Sequence, residues 1–325
     1  MKRWIVGIDI GGTKISVSLS PLHPVRLIAT KVLSSKGGQK PKESIREIEA
    51  SVLDLLSKRR IKVKELKGIG LAVAGAIDTR KGIIVKSPHL RGWERIPLAS
   101  VLSRCLATPV FTENDCNAAV LGEQYFGLGR GIRDFIYVTV STGIGSGIIA
   151  NGSLVRGAGG WAGELGHMTV VRNGNRCPCG KRGCLEMYAS GTAIANCVKE
   201  GIKRGGQNRY WEGCRLRDIT GEVVSGAARK GDPLSIRARH LAADYLGIGL
   251  ANVINLLNPR RIILGGGVME HVALFWEPLL KAVRREAWPL AYRSCQILRS
   301  KLGRHVGNYG ALAVVLSRRK RSNMW

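Results

Sequence analysis

Two short runs at the start of the chain, RWIVGIDI and ISVSLS, are dominated by apolar and β-branched residues and flank the glycine turn GGTK. That pattern predicts a β-hairpin, and a third run, VRLIATKVL, extends the sheet. Over residues 42–59 the period lengthens, and Ile45, Ile48, Val52, Leu55 and Leu56 fall at helical spacing. GIGLAVAGAI then reads as a buried strand, VFTEND as another, and residues 116–126 as a helix running to Gly127. At Phe135 the opening pattern returns: FIYVTVS, TGIGSG and IIANGSLV again give strand, glycine turn and strand, an internal echo of the first hairpin. A long helix follows over 234–256, with Ile236, Leu241, Tyr245, Leu246, Ile248 and Leu250 among its apolar positions, and Asn258-Pro259 closes it. RIILGGGV is a strand that runs into a third glycine turn before another helix. Residues 203–215, rich in Gly, Arg, Asn and Trp, show no period and read as a loop.

Length and composition add bounds. A chain of 325 residues that is 45% hydrophobic can bury a large core, as two domains. The apolar run in MKRWIVGIDI is too short for a signal peptide. No stretch reads as approaching the roughly 20 apolar residues that span a membrane, so a cytoplasmic protein without membrane contact is expected. Cys105, Cys116, Cys197, Cys214 and Cys295 are scattered, as small hydrophobes are. Only Cys177, Cys179 and Cys184 cluster, and without a signal peptide such a cluster favours metal over disulfides. The 51 basic against 23 acidic residues give a net charge of +28, a field that attracts polyanions such as nucleic acid or a phosphorylated substrate. The bases are nevertheless spread, dense only in 58-KRRIKVKELK-67 and 318-RRKR-321, and aromatics make up 6%. With no nucleic-acid-binding motif, non-specific adhesion at low salt is expected rather than specific recognition.

The glycine turns match neither common phosphate motif. A Walker loop and the GxGxxG fingerprint both open a helix, whereas GIDIGGTK opens a second strand. One such turn is simply a turn. Three of them, Asp9-Ile10-Gly11-Gly12-Thr13, Thr142-Gly143-Ile144-Gly145-Ser146-Gly147 and Gly265-Gly266-Gly267, all follow apolar strands. Glycine lets a backbone approach a phosphate, and successive N–H groups form an anion nest. Thr13 and Thr142 add hydroxyl donors, and Asp9 at the mouth of its turn suits an Mg²⁺-bound water.

Two further constellations admit two readings each. Glu113-Asn114-Asp115, where VFTEND ends and a helix begins, is either a helix cap or a carboxylate projected from a strand end as a general base. Within GELGHMTVVRNGNRCPCGKRGCLE (163–186), Cys177-x-Cys179-x4-Cys184 with His167 ten residues upstream forms a Cys3His set. Such a set suits tetrahedral zinc and leaves no position for water, hence a structural ion; the other reading is free thiols on a flexible loop. Gly180 and Gly183 would let the loop wrap tightly.

Taken in order, GIDIGGTK, AVAGAID, SPHLRGW, ENDCNAA, STGIGSG, GELGH, CPCGKRGCLE and ILGGGV run nearly end to end and resemble the ROK family (repressor, open reading frame, kinase) of the actin/hexokinase superfamily. The resemblance implies a two-domain α/β, ribonuclease H-like fold with an interdomain cleft. Residues 1–117 plus 305–325 would form the small domain, and 118–304 the large one with a zinc-binding loop. It implies that Gly11, Gly12, Thr13 and Lys14 face ATP phosphates together with Thr142 and Gly143, and that Gly266 and Gly267 border the adenosine. Asp115 matches the family's catalytic base, and Asn114 its neighbouring sugar ligand. Glu164, His167 and Glu186 match ligands of the hydroxyls near C1, C2 and C3, and Gly75 lets backbone approach the sugar. Mg²⁺ and structural Zn²⁺ on His167, Cys177, Cys179 and Cys184 complete the cofactors. Cys116 stands where the family has alanine, and His89 where it has asparagine. The implied activity is ATP-dependent phosphorylation of a hexose C6 hydroxyl, glucose first, with N-acetylhexosamine or fructose as the alternative acceptor. The implied assembly is a homo-oligomer, dimer or tetramer. Some members are repressors with a helix-turn-helix ahead of the kinase-like body; with a first strand from residue 4, no such domain is expected here.

Overall fold

The computed structural model describes residues 2–35, 40–87, 90, 92–205 and 209–318. His89 and residues 319–321 of the basic tail lie outside them. The opening hairpin forms as its pattern predicts. Trp4–Ile10 (β1) pairs antiparallel with Lys14–Pro21 (β2), and Ala29–Ser34 (β3) continues the sheet beyond β2. Leu66–Val73 (β4) lies parallel to β1. Ala76–Asp78 (β5), Ile83–Lys86 (β6) and Glu94–Ile96 (β7) form a small antiparallel sheet that the hydrophobic pattern did not show. Val110–Asn114 (β8) then pairs parallel with β4, giving the order β3-β2-β1-β4-β8.

Residues of β1 and β4 are buried almost without interruption, as strands covered on both faces must be. One cover is α1 (Pro41–Ser57), whose Ile45, Ile48, Val52, Leu55 and Leu56 join the strand residues in one core. Another is the helix Val306–Ser317, which presses its backbone onto the glycine pair Gly7↔Gly70. A Cβ at Gly70 would lie 1.9 Å from the Ala311 carbonyl oxygen, and one at Gly7 2.9 Å from Leu312 N. Helices α2 (Leu98–Cys105) and α3 (Asp115–Phe126) complete this part.

The second sheet repeats the plan. Phe135–Val140 (β9), Ile144–Ala150 (β10), Ser153–Val155 (β11), Arg261–Gly265 (β12) and Gln296–Arg299 (β13) stand in the order β11-β10-β9-β12-β13, the counterpart of the first sheet position by position. The internal echo therefore extends from a hairpin to a whole sheet. Its glycine turn is shorter than TGIGSG suggests: Ile144, Gly145, Ser146 and Gly147 already pair with Val140, Thr139, Val138 and Tyr137. Only Ser141–Gly143 is left to turn, because ladder hydrogen bonds claim the rest.

The remaining helices are α4 (Glu186–Ala189), α5 (Gly191–Lys203), α6 (Gly221–Arg229), α7 (Pro233–Leu257), α8 (Trp276–Glu286) and α9 (Pro289–Ser294). Asp232 caps α7 by accepting from Ser235 N at 2.9 Å, Pro233 occupies its first turn, and Asn258 ends it in the left-handed conformation. At 25 residues α7 is long and apolar enough to cross a membrane, contrary to the expectation from run length. Its apolar positions are interrupted by charge, which hid the length, and half of the window is buried; Ala242, Leu246, Leu250 and Ile254 belong to the core.

By compactness the chain forms two units, Met1–Gly131 with Leu154–Ala162 and Arg304–Trp325, and Ile132–Ser153 with Gly163–Gly303. A division at 117/118 would have cut α3. That helix stays whole in the first unit because it packs on Val306–Ser317 so closely that a Cβ at Gly122 would lie 2.9 Å from Gly310 N.

Candidate active site

In the first unit the parallel register sets the site. Ile10 is level with Val73, and Val73 with Asn114, so β1, β4 and β8 all end on one edge. The Asp9–Thr13 turn, Gly75 and the start of α3 therefore share that edge, where ligands bind in open α/β sheets. Ser35 holds the first turn in place: its hydroxyl donates to Gly11 O at 2.9 Å and its N–H to Thr13 O at 3.2 Å. Thr13 and Lys14 are exposed.

The cap reading of Glu113-Asn114-Asp115 falls on one residue. Asn114 is the cap, its Oδ1 accepting from Cys116 N at 2.9 Å and Asn117 N at 3.2 Å. Its Nδ2 donates to Gly75 O at 3.2 Å, which ties the helix start to the β4 turn. Gly75 has φ +124°, and a Cβ there would lie 2.6 Å from Lys86 O, so glycine is required. Asp115 is left as the first helical residue, half-buried at the positive end of α3. Asp9 lies within its electrostatic reach. Burial pushes the Asp9 carboxyl up to about 6, the Asp115 charge adds to the rise, and Lys14 opposes it. Gly307 walls Asp9 in, since a Cβ there would lie 2.2 Å from Asp9 Oδ2.

Behind these groups stands an ion pair that the sequence did not announce. Glu113, 1% exposed, accepts from Arg156 Nε at 3.0 Å and Nη2 at 2.6 Å, and from Asn117 Nδ2 at 3.3 Å. The partners are 43 residues apart, and only the lone acid in an apolar strand hinted at them.

In the second unit, two of the three glycine turns come together. A Cβ at Gly266 (φ +93°) would lie 2.4 Å from Val140 O, and one at Gly267 3.8 Å from Ser141 Oγ. The start of α5 joins them: Gly191 N donates to Ser141 O at 2.7 Å, and Thr192 Oγ1 to Thr142 O at 2.8 Å. Gly191 and Thr192 were missed in the sequence because nothing local links them to Thr142, 50 residues away. Thr142 is exposed. Glu186 braces the turn, its Oε2 accepting from Ile144 N at 2.8 Å, and a Cβ at Gly143 would lie 2.3 Å from that oxygen.

The Cys3His set gathers as its spacing suggests. The ligand atoms of His167, Cys177, Cys179 and Cys184 all lie within 4.8 Å of one another. His167 Nδ1 is 3.7 Å from Cys177 Sγ, and Cys179 Sγ is 3.7 Å from Cys184 Sγ. A tetrahedron built on Zn–S bonds of about 2.3 Å has edges of about 3.8 Å, so the set fits that ion. Cys177 N donates to Lys181 O at 2.8 Å and Gly180 N to Cys177 O at 3.0 Å, closing the loop. A Cβ at Gly183 (φ +78°) would lie 1.7 Å from Val171 O. Burial pushes the Cys177 thiol up to about 12 and raises Cys184 as well, while the Lys181 N–H lowers Cys179. A bound cation would overcome the two raised values, because metal ligation displaces the thiol proton. The other His167 nitrogen, Nε2, lies 4.0 Å from Glu164 Oε2 on the exposed side.

Comparison with known proteins gives a consistent picture. The model of the ROK family matches residues 5–318. A glucokinase from Thermotoga maritima is 33% identical over 319 residues, 98% of each chain. A xylose repressor from Caldicellulosiruptor bescii is also 33% identical, over 96% of this chain and 78% of its own length. A crystal structure of a ROK family glucokinase from Streptomyces griseus, in complex with glucose and AMPPNP, is 32% identical and superposes with a TM-score of 0.81 over 97% of this chain and 99% of that one. The fold is that of the actin/hexokinase-like sugar kinases.

Proposed function

The chain belongs to the ROK family, and on that premise we propose that it is an enzyme that phosphorylates a hexose at the C6 hydroxyl with ATP, glucose foremost, giving glucose 6-phosphate and ADP. The observation that carries the proposal is the placement of Asp115: it is the first residue of α3, directly after the Asn114 cap that is joined to Gly75, and its charge reaches Asp9 beside the first glycine turn. Asp115 then accepts the hydroxyl proton as the C6 oxygen bonds to the γ-phosphorus, and the bond from that phosphorus to the β-phosphate oxygen breaks to release ADP. Asn114 and Gly75, already joined, position the sugar beside Asp115. Gly11, Gly12 and Thr13 offer backbone and hydroxyl donors to phosphate, with Lys14 adding charge; Thr142 and Gly143 do the same in the second unit, where Gly266 and Gly267 border the adenosine. Mg²⁺, when bound, neutralises phosphate charge, and Asp9 suits a water in its shell. Glu164, His167 and Glu186 contact the hydroxyls near C1 to C3. His167 with Cys177, Cys179 and Cys184 holds a structural zinc that orients the ring for that role. A homo-oligomer acting in the cytoplasm is part of the same reading.

Two alternatives have specific support. The equally similar xylose repressor makes sugar sensing the non-enzymatic one, and Asp115 weighs against it. Phosphorylation of an N-acetylhexosamine or fructose is the second, and the free C2 hydroxyl that suits Glu164 and His167 favours glucose. An ADP-release assay with glucose, mannose, fructose and N-acetylglucosamine separates these. We expect the highest kcat/KM with glucose; turnover of none, with glucose still bound, assigns sensing instead. Asp115→Asn should lower kcat by about 10²–10⁴-fold while glucose affinity changes only a few-fold, and a near-normal kcat removes Asp115 from the role of base.

A further inference from the structure

A cavity of ≈280 Å³ in the second unit is lined by Ser225 and Arg229 of α6, Arg239 of α7 and residues Glu270 to Leu274. Its floor is unusual. Arg239 is 2% exposed, among the largest fully buried side chains of the protein, and no carboxylate pairs with it among the described residues. Its Nη1 donates to Ser225 Oγ at 2.6 Å and its Nη2 to the His271 carbonyl, so among the described residues only two of its five N–H donors have acceptors, both neutral. The Phe275 ring lies 5.5 Å from the guanidinium, again without countercharge. A second cation stands at the mouth, where exposed Arg229 donates from Nη1 to His271 Nδ1 at 2.7 Å. Because a guanidinium only donates, His271 Nδ1 must accept, which puts the imidazole proton on Nε2 as a further donor. Glu270 lines the exposed rim and is paired with neither arginine. Burial and the nearby Arg229 charge lower the Arg239 pKa to about 10, the sense expected of a cation enclosed with its like.

A buried charge without a partner is costly, and an anion in the cavity supplies the missing one. We propose that this cavity is a binding site for a small phosphate, inorganic or the head of a monoester, held by Arg239 and Arg229. Tetrahedral oxyanions suit paired guanidiniums, which reach them through several N–H donors at once. At ≈280 Å³ the cavity is at the small end for ligand pockets and does not suit a whole nucleotide. Its Arg229 side lies away from the start of α5, which joins the Thr142 turn. α6 begins at Gly221, where a Cβ would lie 2.8 Å from Gly191 O, and reaches Arg229 eight residues later, about 12 Å along its axis.

Calorimetric titration of the full-length protein at constant ionic strength tests the site, with inorganic phosphate and glycerol 3-phosphate as probes. One saturable site is expected, weakened at least tenfold by Arg239→Lys and by Arg229→Gln. Arg229 is exposed, so its variant keeps the wild-type melting temperature and guards against a folding artefact. Tighter binding of glycerol 3-phosphate identifies a monoester, and tighter binding of phosphate identifies the free ion; either supports the site. Absence of saturable binding to both probes overturns it, as does undiminished binding by Arg229→Gln.

Discussion

At the scale of single residues, two carboxylates, Asp9 and Asp115, stand close enough for one to shift the other. Burial raises the Asp9 carboxyl, and the charge of Asp115 adds to the rise, to about 6. In the unfolded chain an aspartate titrates near 3.9, so between those values the folded protein holds a proton that the unfolded chain has released. Folding is thus favoured at low pH, and that contribution is lost as pH rises through 6. The shift corresponds to roughly 3 kcal/mol of cost at neutral pH. Asp9→Asn removes it. The variant should be more stable than wild type by about 1–3 kcal/mol in urea denaturation at pH 7.5 without Mg²⁺, and the difference should close near pH 4. An equal difference at both values would mean that Asp9 does not titrate in this window.

At the scale of elements, α3 owes its exact start to side chains rather than to apolar pattern. Asn114 supplies the cap and the link to Gly75, and Glu113 anchors the end of β8 to Arg156 in the returning segment Leu154–Ala162. Glu113 is almost fully enclosed, while the Arg156 side chain is 20% exposed, so the acid bears most of the desolvation. Arg156→Met would strand the carboxylate and should cost about 3 kcal/mol of unfolding free energy. The double variant Glu113→Gln with Arg156→Met should recover part of that loss, because no buried charge is then left unpaired. A double variant as unstable as the sum of the single changes would show that the two groups do not interact.

At the scale of the molecule, one strand order serves twice, and each unit carries its own glycine turn at the end of its first long strand. The Cys3His loop belongs to the second unit alone, where it connects Glu164 and His167 to Glu186, the residue that braces the Thr142 turn. Metal analysis of the purified protein should give close to one zinc per chain. Less than about half an equivalent with the fold intact would reject the site. Chelation should weaken glucose binding by about 10- to 100-fold, the scale seen when a ligand's supporting partner is lost; unchanged binding by zinc-free protein would uncouple the loop from the sugar.

What the sequence determined by itself was local. Apolar, β-branched runs around a glycine turn located β1 and β2, and helical spacing located α1 and α7, since these patterns are properties of single elements. The cysteine spacing marked a loop whose thiols gather with His167, because a wrapped loop brings its own side chains together. Asn114-Asp115 marked a helix start, but which of the two was the cap depended on where each side chain pointed. Tertiary structure decided that question, the short turn at Ser141–Gly143, the small sheet of β5 to β7, and the partners that lie far apart along the chain. Glu113 met Arg156, Thr192 met Thr142, and Arg239 was enclosed, with no carboxylate partner among the described residues, only when distant segments packed. Desolvation and charge pairing belong to the assembled neighbourhood, so they become visible only when the chain has folded around them.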